Sequence, residues 1–299
     1  MILIAGATGS LGSRLTPLLS RRGIPLRLLV RDPAKAAVLK TDLIQIAEGD
    51  VRSLPALEPA MSGVSTVVSA ISAFGRGAGS TRTVDWEGNR NLIQAAEAAG
   101  AEHFILISVH GAAPDHPIEL FRMKYLAEQA LTASKLTWTI LRPNAYFETW
   151  AMLLGEPLLK SGKTMVFGRG ENPINFVSVR DVARFVDLAV ADPTLRGEVI
   201  EVGGPQNLTF NRFLQIFEAQ TGASGVKRHV PRPAMRVASR LLRPIKPMLA
   251  QQMRTAYLMD TIDMTFDPSE TLRLYPTLTP TPLADVLAQD YPRGREAAN

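Results

Sequence analysis

The stretch Gly6-Ala7-Thr8-Gly9-Ser10-Leu11-Gly12, which directly follows the apolar run Ile2–Ala5, decides the fold. A short apolar run bounded by glycine is typical of a buried strand, and leucines at helical spacing follow the last glycine. The glycines permit a sharp turn that brings backbone N–H groups close to a ligand, and the helix that begins near Gly12 directs its positive end at the same point. The stretch therefore predicts a strand, a turn and a helix start that bind a pyrophosphate, although an ordinary tight loop has a similar glycine content.

Strands and helices alternate over the first half of the chain. Strands are predicted at 25–30, 43–47, 66–70, 103–108 and 138–141, and helices at 12–22, 84–99 and 118–134. This order predicts an α/β fold, a Rossmann-type doubly wound parallel sheet with a smaller C-terminal substrate lobe. We expect residues 1–222 to form the NAD(P)-binding domain, with substrate-side insertions from about 144 to 177, and residues 223–299 to form the lobe or lid.

The end of the second strand predicts the form of the cofactor. Val30 stands where an acidic residue would bind the ribose 2′-hydroxyl of NAD, and Arg31 follows it. An arginine at this place suits a 2′-phosphate, so we expect NADP(H). The alternative is a solvated arginine whose charge is offset by Asp32.

Ligands of such sheets bind beyond the carboxyl ends of the strands, and several further residues are predicted there. Asp50 either accepts from the adenine amino group or caps the next helix. A glycine-rich loop with Gly75, Gly77 and Gly79 either borders the ligand or is a surface connection. The predicted cofactor-binding residues on these strands and turns are Gly6, Thr8, Gly9, Ser10, Leu11, Gly12, Arg31, Asp50, Val51, Ala70, Ile71 and Asn144.

The glycine turn, Val30-Arg31-Asp32-Pro33, Gly49-Asp50-Val51, Leu141-Arg142-Pro143-Asn144 and the segment 176–183 carry a family resemblance. Over about the first 220 residues the chain resembles the NmrA-like branch of the atypical short-chain dehydrogenases/reductases, which includes isoflavone-reductase-like enzymes. The resemblance implies NADP(H) binding. The NmrA-like branch and its relatives include quinone and enal reductases as well as cofactor-sensing regulators and assembly factors.

The resemblance also implies catalytic roles. Short-chain dehydrogenases usually pair a serine with Tyr-x-x-x-Lys, but the tyrosine position relative to Lys124 holds Leu120, and Tyr125 lies about a hundred degrees round the helix. Isoflavone-reductase-like relatives rely on the lysine, so Lys124 is expected to be both ribose clamp and possible proton donor. Ser108 is expected to bind a substrate carbonyl. The alternatives are an exposed Lys124 paired with Glu128, and a Ser108 that only caps its strand.

Two functions follow from these residues. The first is an NADPH-dependent oxidoreductase that transfers hydride to a small apolar carbonyl, quinone or activated alkene. His110 and Tyr146 are further candidates for proton delivery, and the alternative is that each is only a loop or core residue. The second is a non-catalytic NADP(H)-binding redox sensor or an assembly or regulatory protein. Apolar residues that suggest an apolar substrate, or equally a core, are Phe74, Tyr146, Phe147, Trp150 and Met152.

Composition excludes several other classes. The chain has 299 residues and no cysteine, which excludes disulfides, thiolate catalysis and cysteine-ligated metals, and we predict no metal site. The N-terminus does not resemble a signal peptide, and no apolar run reaches the length of a transmembrane segment. We therefore expect a cytoplasmic protein.

The net charge of +5 is concentrated between Glu218 and Asp260, where eight basic residues and no acidic residue occur. Four of these arginines share one face of a predicted helix, at positions 232, 236, 240 and 243. The basic 227–254 segment is therefore interpreted as a lid, a surface for a partner protein or anionic lipid, or a solvated face. It lacks interleaved aromatic residues, so we expect no binding to nucleic acid.

Overall fold

The computed structural model describes residues 1–74 and 80–292. The strands are β1 (Ile2–Ala5), β2 (Leu26–Val30), β3 (Ile44–Glu48), β4 (Thr66–Ser69), β5 (His103–Ile107), β6 (Thr137–Pro143), β7 (Ala145–Tyr146), β8 (Lys163–Phe167), β9 (Ile174–Val177), β10 (Val199–Val202), β11 (Gln206–Leu208) and β12 (Val226–Val230). The helices are α1 (Gly12–Arg21), α2 (Pro33–Ala36), α3 (Glu58–Met61), α4 (Asn89–Ala98), α5 (Glu119–Thr132), α6 (Phe147–Trp150), α7 (Glu156–Ser161), α8 (Val179–Ala191), α9 (Phe210–Thr221), α10 (Arg232–Leu241), α11 (Pro247–Met259), α12 (Ser269–Leu274) and α13 (Leu283–Asp290).

The described residues divide into two units. The first contains Met1–Pro143 and Val179–Val202, and the second contains Asn144–Ser178 and the described residues from Gly203 onward. The segment 203–222, which the sequence analysis assigned to the first domain, thus belongs to the second unit. The physical reason is the apolar face of α9, whose Phe210 and Phe213 pack on aromatic residues of 144–178.

The first unit is built on a seven-stranded sheet in the order β10-β6-β5-β4-β1-β2-β3, and every neighbouring pair is parallel. The strand order reverses between β1 and β4, which is the switch point at which doubly wound sheets bind ligands. The central strands read as continuous apolar runs because both of their faces are buried. Their fully buried side chains include Leu3, Ile4, Leu28, Val67, Val68, Phe104, Ile105 and Leu106.

Helices cover this sheet. The helix α1 packs against α8, and α4 packs against α5. The predicted helix at 84–99 begins as a π-helical segment, Arg82–Gly88, and continues as α4. A Cβ on Gly88 would lie 2.8 Å from Val51 Cγ2, so glycine allows this wide turn to approach the edge of the sheet. The predicted Rossmann-type fold is confirmed.

The second unit has its own small sheets and an aromatic core. Strands β11, β9 and β7 form one sheet, and β12 pairs in parallel with β8 in another. The ring of Phe176 lies 5.9 Å from that of Phe147 and 6.5 Å from that of Trp150. Of the residues suggested to contact an apolar substrate, Phe147 and Trp150 are therefore buried members of this core.

Among the described residues, we find no helix that has both the length and the apolar character needed to cross a bilayer. The predicted cytoplasmic location stays a prediction.

Candidate functional site

The glycine turn between β1 and α1 leaves no space for side chains at two of its positions. Gly6 has a φ of +88°, and a Cβ there would lie 2.6 Å from Ala70 O. A Cβ on Gly12 would lie 2.3 Å from Gly6 O. The turn closes through the hydrogen bond from Gly9 N to Gly6 O, 3.0 Å long. Any larger residue at 6 or 12 would push the backbone outward, so the turn is tight because both positions are glycine.

The tip of this turn is exposed and electrostatically suited to an anion. Thr8, Gly9 and Ser10 are exposed, whereas Leu11 and Gly12 are buried. The first turn of α1 has no acidic residue, and no side chain caps its N-terminus. The positive end of the ten-residue helix is therefore not neutralised by its own residues, which is the arrangement that binds a pyrophosphate in this fold. The residues present fit a dinucleotide.

The ends of β2 and β3 bring two arginines to one carboxylate. Asp50 Oδ1 accepts from the backbone N–H of Arg52 at 3.0 Å, and Arg52 Nη2 donates to Asp50 Oδ2 at 2.5 Å. These bonds from Arg52 lower the pKa of Asp50, and the charge of Arg31 lowers it further. Asp50 is thus an ionised group that orients Arg52. Arg52, the second cation at this edge, is not among the cofactor-binding residues predicted from the sequence.

Ala70 and Ile71, which follow β4, and Val51, which follows β3, make hydrogen bonds at this edge of the sheet through their backbone atoms. Ala70 N donates to Ala5 O at 2.9 Å, which holds Ala70 against the glycine turn. The carbonyl of Val51 accepts from Asn91 Nδ2 at 2.9 Å. Ile71 is buried, and its carbonyl accepts from Lys124. Ala70 and Ile71 therefore border the glycine turn with backbone atoms, whereas Val51 is hydrogen-bonded to Asn91 of α4.

Lys124 is buried and fully coordinated within the first unit. Its Nζ donates to Ile71 O at 2.9 Å and to Ile107 O at 3.0 Å, and it lies 3.2 Å from Asp85 Oδ1 in an ion-pair contact. The other oxygen of Asp85 accepts from Ala73 N. The ammonium thus donates two hydrogen bonds to carbonyls and is in ion-pair contact with Asp85, so its contacts are all with protein groups. The alternative of an exposed Lys124 paired with Glu128 is wrong, because Lys124 is buried against Asp85.

Glu128 instead belongs to a connected polar network at the carboxyl ends of β5, β6 and β10. The hydroxyl of Ser108 donates to Glu128 Oε1. Arg142 donates to both oxygens of Glu128, from Nε at 2.9 Å and from Nη2 at 2.6 Å. Its third contact, from Nη1 to Glu201 Oε1, is 3.2 Å long. The bidentate pair holds the Arg142 pKa well above its ordinary value, so this guanidinium stays charged.

The network ends on His110. Its Nδ1 lies 2.8 Å from Glu201 Oε2, and the backbone N–H of His110 donates to Pro143 O at 3.0 Å. Because a carboxylate only accepts, the proton of the neutral imidazole lies on Nδ1. The imidazole side chain is 33% exposed, whereas Ser108 at the other end of the network is buried. A connected series of hydrogen bonds between charged groups thus links a buried serine to a partly exposed histidine.

The remaining predicted residues belong to the second unit or lie outside the described residues. Tyr146 lies in β7, where burial and the neighbouring Glu148 raise its pKa, so its phenol is a weak acid. Asn144, directly after β6, has a buried Nδ2 without a hydrogen-bond partner among the described residues. The glycine-rich loop with Gly75, Gly77 and Gly79 lies outside the described residues.

Comparison with known proteins agrees with the geometry of the glycine turn. A family model described as NAD(P)H-binding matches residues 6–193, which is more than half of the chain. The chain belongs to this NAD(P)H-binding family. The cofactor expected from the sequence is thereby confirmed at the level of NAD(P)H. The family resemblance is confirmed as well, and the atypical subtype stays a prediction.

Similar proteins have both kinds of function considered above. The chain is 30% identical to an NAD(P)H azoreductase of Xenophilus azovorans over 209 residues, which is 70% of each chain. It is 29% identical to the photosystem II assembly factor Ycf39 of Synechocystis over 79% of this chain and 72% of that protein. An NADPH-dependent quinone oxidoreductase of Escherichia coli has the same fold, with a TM-score of 0.75, 23% identity and coverage of 97% and 100% of the two chains. The family therefore contains reductases.

Proposed function

We propose that this chain is an NADPH-dependent reductase that transfers hydride to a small apolar carbonyl, quinone or activated alkene. The observation that carries the proposal is the connected network from Ser108 to His110 at the ligand-binding edge of the sheet. A buried charged group such as Glu128 is expensive unless it is satisfied, and a hydrophobic cluster of equal volume is often at least as stable. The network is therefore better explained by orientation of reactive groups than by stability.

When bound, NADPH would supply the hydride that reduces the acceptor. The exposed tip from Thr8 to Ser10 would hold the pyrophosphate, with the N-terminus of α1 behind it. Arg31 would bind the 2′-phosphate, assisted by Arg52, because both cations flank the ionised Asp50. The preference for NADPH over NADH rests on these two arginines.

His110 is proposed to donate the proton that completes the reduction. A carbonyl that gains a hydride at carbon must gain a proton at oxygen. Because Glu201 holds the Nδ1–H of His110, the imidazolium form would supply this proton from Nε2 and would then regain one from solvent. Glu201 fixes the ring and its tautomer, and Arg142 and Glu128 fix Glu201 in turn. Tyr146 is a poorer candidate because its raised pKa makes it a weaker acid.

Ser108 and Lys124 can bind a substrate or the cofactor, as expected, only if the hydroxyl and the ammonium turn from their protein partners to the ligand. In the structure Ser108 donates to Glu128, and the ammonium of Lys124 faces two carbonyls and Asp85. We therefore propose that Lys124 acts first as a positioning residue, since it ties the ends of β4 and β5 together at the cofactor edge. Ser108 would contact the substrate carbonyl at this same edge of the sheet.

The test is the loss of NADPH absorbance with purified protein and a panel of aldehydes, quinones and enals. His110→Gln removes the transferable proton and retains hydrogen-bonding groups. It should lower kcat on aldehydes by about 10²–10⁴-fold, and the Kd for NADPH should not change. The matched control is His116→Gln, a histidine of the same unit outside the network. Equal turnover by the two variants would remove His110 from the reaction.

A non-catalytic function is the second candidate, and one observation favours it. Leu120 occupies the position of the usual tyrosine, and the donors of Lys124 are all engaged inside the protein. The similarity to an assembly factor is consistent with a protein that senses NADP(H) occupancy. Tight NADPH binding without turnover on any acceptor class would favour this candidate over the reductase.

A further inference from the structure

The basic segment forms a helical hairpin in the second unit. The helices α10 and α11 pack against each other. The base of the hairpin is anchored, because Arg232 Nε donates to the buried Asp260 Oδ2 at 2.5 Å and Met235 is fully buried. The carboxylate of Asp260 also accepts from the backbone of Arg169 and Gly170. The hairpin therefore projects from a fixed base.

The opposite end, residues 240–249, is here called the hairpin tip. Its sequence is Arg-Leu-Leu-Arg-Pro-Ile-Lys-Pro-Met-Leu, and every residue except Leu242 is exposed. Leu241, Ile245 and Met248 are 68%, 75% and 60% exposed. Single exposed apolar residues are common, but several large ones within one short stretch mark an interaction site.

The cations of the hairpin tip are not paired with acids. Arg240, Arg243 and Lys246 are exposed, and none has an ion-pair partner within residues 1–74 and 80–292. No acidic residue occurs between Glu218 and Asp260, so the neighbouring sequence does not offset their charge. Elsewhere on the segment, Lys227 and Arg232 do pair with acids. The tip thus combines three cations with exposed apolar side chains, and Arg228, Arg236 and Arg254 add further positive charge to the rest of the segment.

From this combination we propose that the hairpin tip binds the surface of an anionic phospholipid bilayer. Lipid phosphates attract the three cations, while the acyl boundary accepts Leu241, Ile245 and Met248, and the long stems of arginine and lysine let the charged ends remain at the headgroups. A nucleic acid would match the charge but would leave the apolar side chains in water, and the tip has no aromatic residue to stack on bases. If the protein does not bind anionic vesicles in the experiments below, an acidic protein surface would replace the bilayer as the partner of the hairpin tip.

The first experiment is sedimentation of the full-length protein with vesicles. Vesicles of phosphatidylcholine and phosphatidylglycerol should bind the protein at low ionic strength, and vesicles of phosphatidylcholine alone should bind it far less. The variant Arg240→Gln/Arg243→Gln/Lys246→Gln should weaken partitioning about a hundred-fold, because each near-surface cation contributes about a five-fold effect. The matched control is Lys40→Gln/Lys135→Gln/Lys163→Gln, which removes the same charge from exposed positions elsewhere and should change binding only a few-fold.

The second experiment tests insertion of the apolar side chains. Because the chain has no cysteine, Met248→Cys can carry a single environment-sensitive fluorophore without background labelling. Emission should shift to the blue with anionic vesicles, and lipids brominated on the acyl chain should quench it. A label at Val38→Cys, an 88% exposed position of the first unit, should show neither effect.

Three results would overturn the proposal. They are absence of wild-type binding to anionic vesicles, equal loss of binding in the tip and control triple variants, and an unshifted, unquenched label at position 248. In each case the tip would be assigned to a partner other than a bilayer. Turnover of NADPH enters none of these measurements, so the result is independent of the proposed reductase activity.

Discussion

Replacement of Lys124 by methionine should destabilise the first unit strongly. The substitution retains most of the side-chain volume but removes the ammonium, so Asp85, which is fully buried, loses its counter-charge. The carbonyls of Ile71 and Ile107 lose a donor at the same time. Breaking a buried ion pair from one side costs about 3–5 kcal/mol. This is a large part of the roughly 5–15 kcal/mol that stabilises a typical domain.

Urea unfolding monitored by far-ultraviolet circular dichroism measures this loss. With an m value of about 3 kcal/mol/M, the midpoint of Lys124→Met should fall by roughly 1–1.7 M. The second substitution Asp85→Asn, introduced into the same variant, removes the uncompensated charge and should recover at least half of the loss, which is the coupling that a double-mutant cycle reports.

The matched control for this cycle is Lys35→Met. Lys35 lies 3.6 Å from Asp32 with both side chains largely exposed, and an exposed ion pair contributes at most about 1 kcal/mol. If Lys124→Met unfolded at the same urea concentration as Lys35→Met, the reasoning about the buried pair would be refuted. A lack of any recovery in the double variant would show that the lost carbonyl contacts, rather than the charge of Asp85, carry the effect.

Two further predictions concern the cofactor and the pH dependence of stability. Arg31→Ala should raise the Kd for NADPH about 10–100-fold and leave that for NADH nearly unchanged, since hydrogen bonds to charged groups are worth about 1.5–3 kcal/mol; fluorescence titration measures both, and equal losses would remove Arg31 from the phosphate. Burial lowers the pKa of His103 from 6.5 to about 4. The unfolded chain therefore binds the proton first, so the free energy of unfolding should fall as the pH decreases from 6.5 to 4. Urea titrations of His103→Gln over this window should show a shallower slope, and an unchanged slope would contradict the assignment.

Local signals in the sequence predicted much of the fold. The strands β2, β4 and β5 each lie within one residue of the predicted bounds, because each is a short and mainly apolar run. Helix α1 ends at Arg21, one residue before its predicted end, and Gly23 beyond it has a φ of +74°.

The polar pairings at the site were not predictable in the same way. Arg142 and Glu201 are separated by 59 positions along the chain, and they meet only because β10 pairs with β6. Glu128 is one helical turn from Lys124, yet it binds Arg142, since Lys124 turns inward to Asp85 on the π-helical segment. Helical spacing identifies neighbours on one helix, but it cannot show which of them faces the interior. An arginine within the buried strand β6 was the one available signal that a buried acid had to be near.

The chain leaves the first unit after Pro143, returns to it at Val179 and rejoins the central sheet only at β10, and this interruption has a consequence for biosynthesis. The strand β6 leaves the exit tunnel before β10 does, with one edge unpaired and with no Glu201 for Arg142 to contact. The sheet is completed only when β10, its last strand in sequence and the outermost beside β6, has left the exit tunnel. A nascent chain therefore exposes an apolar strand edge for the several seconds that the residues between β6 and β10 take to synthesise, and in that interval an unpaired edge is open to pairing with other chains.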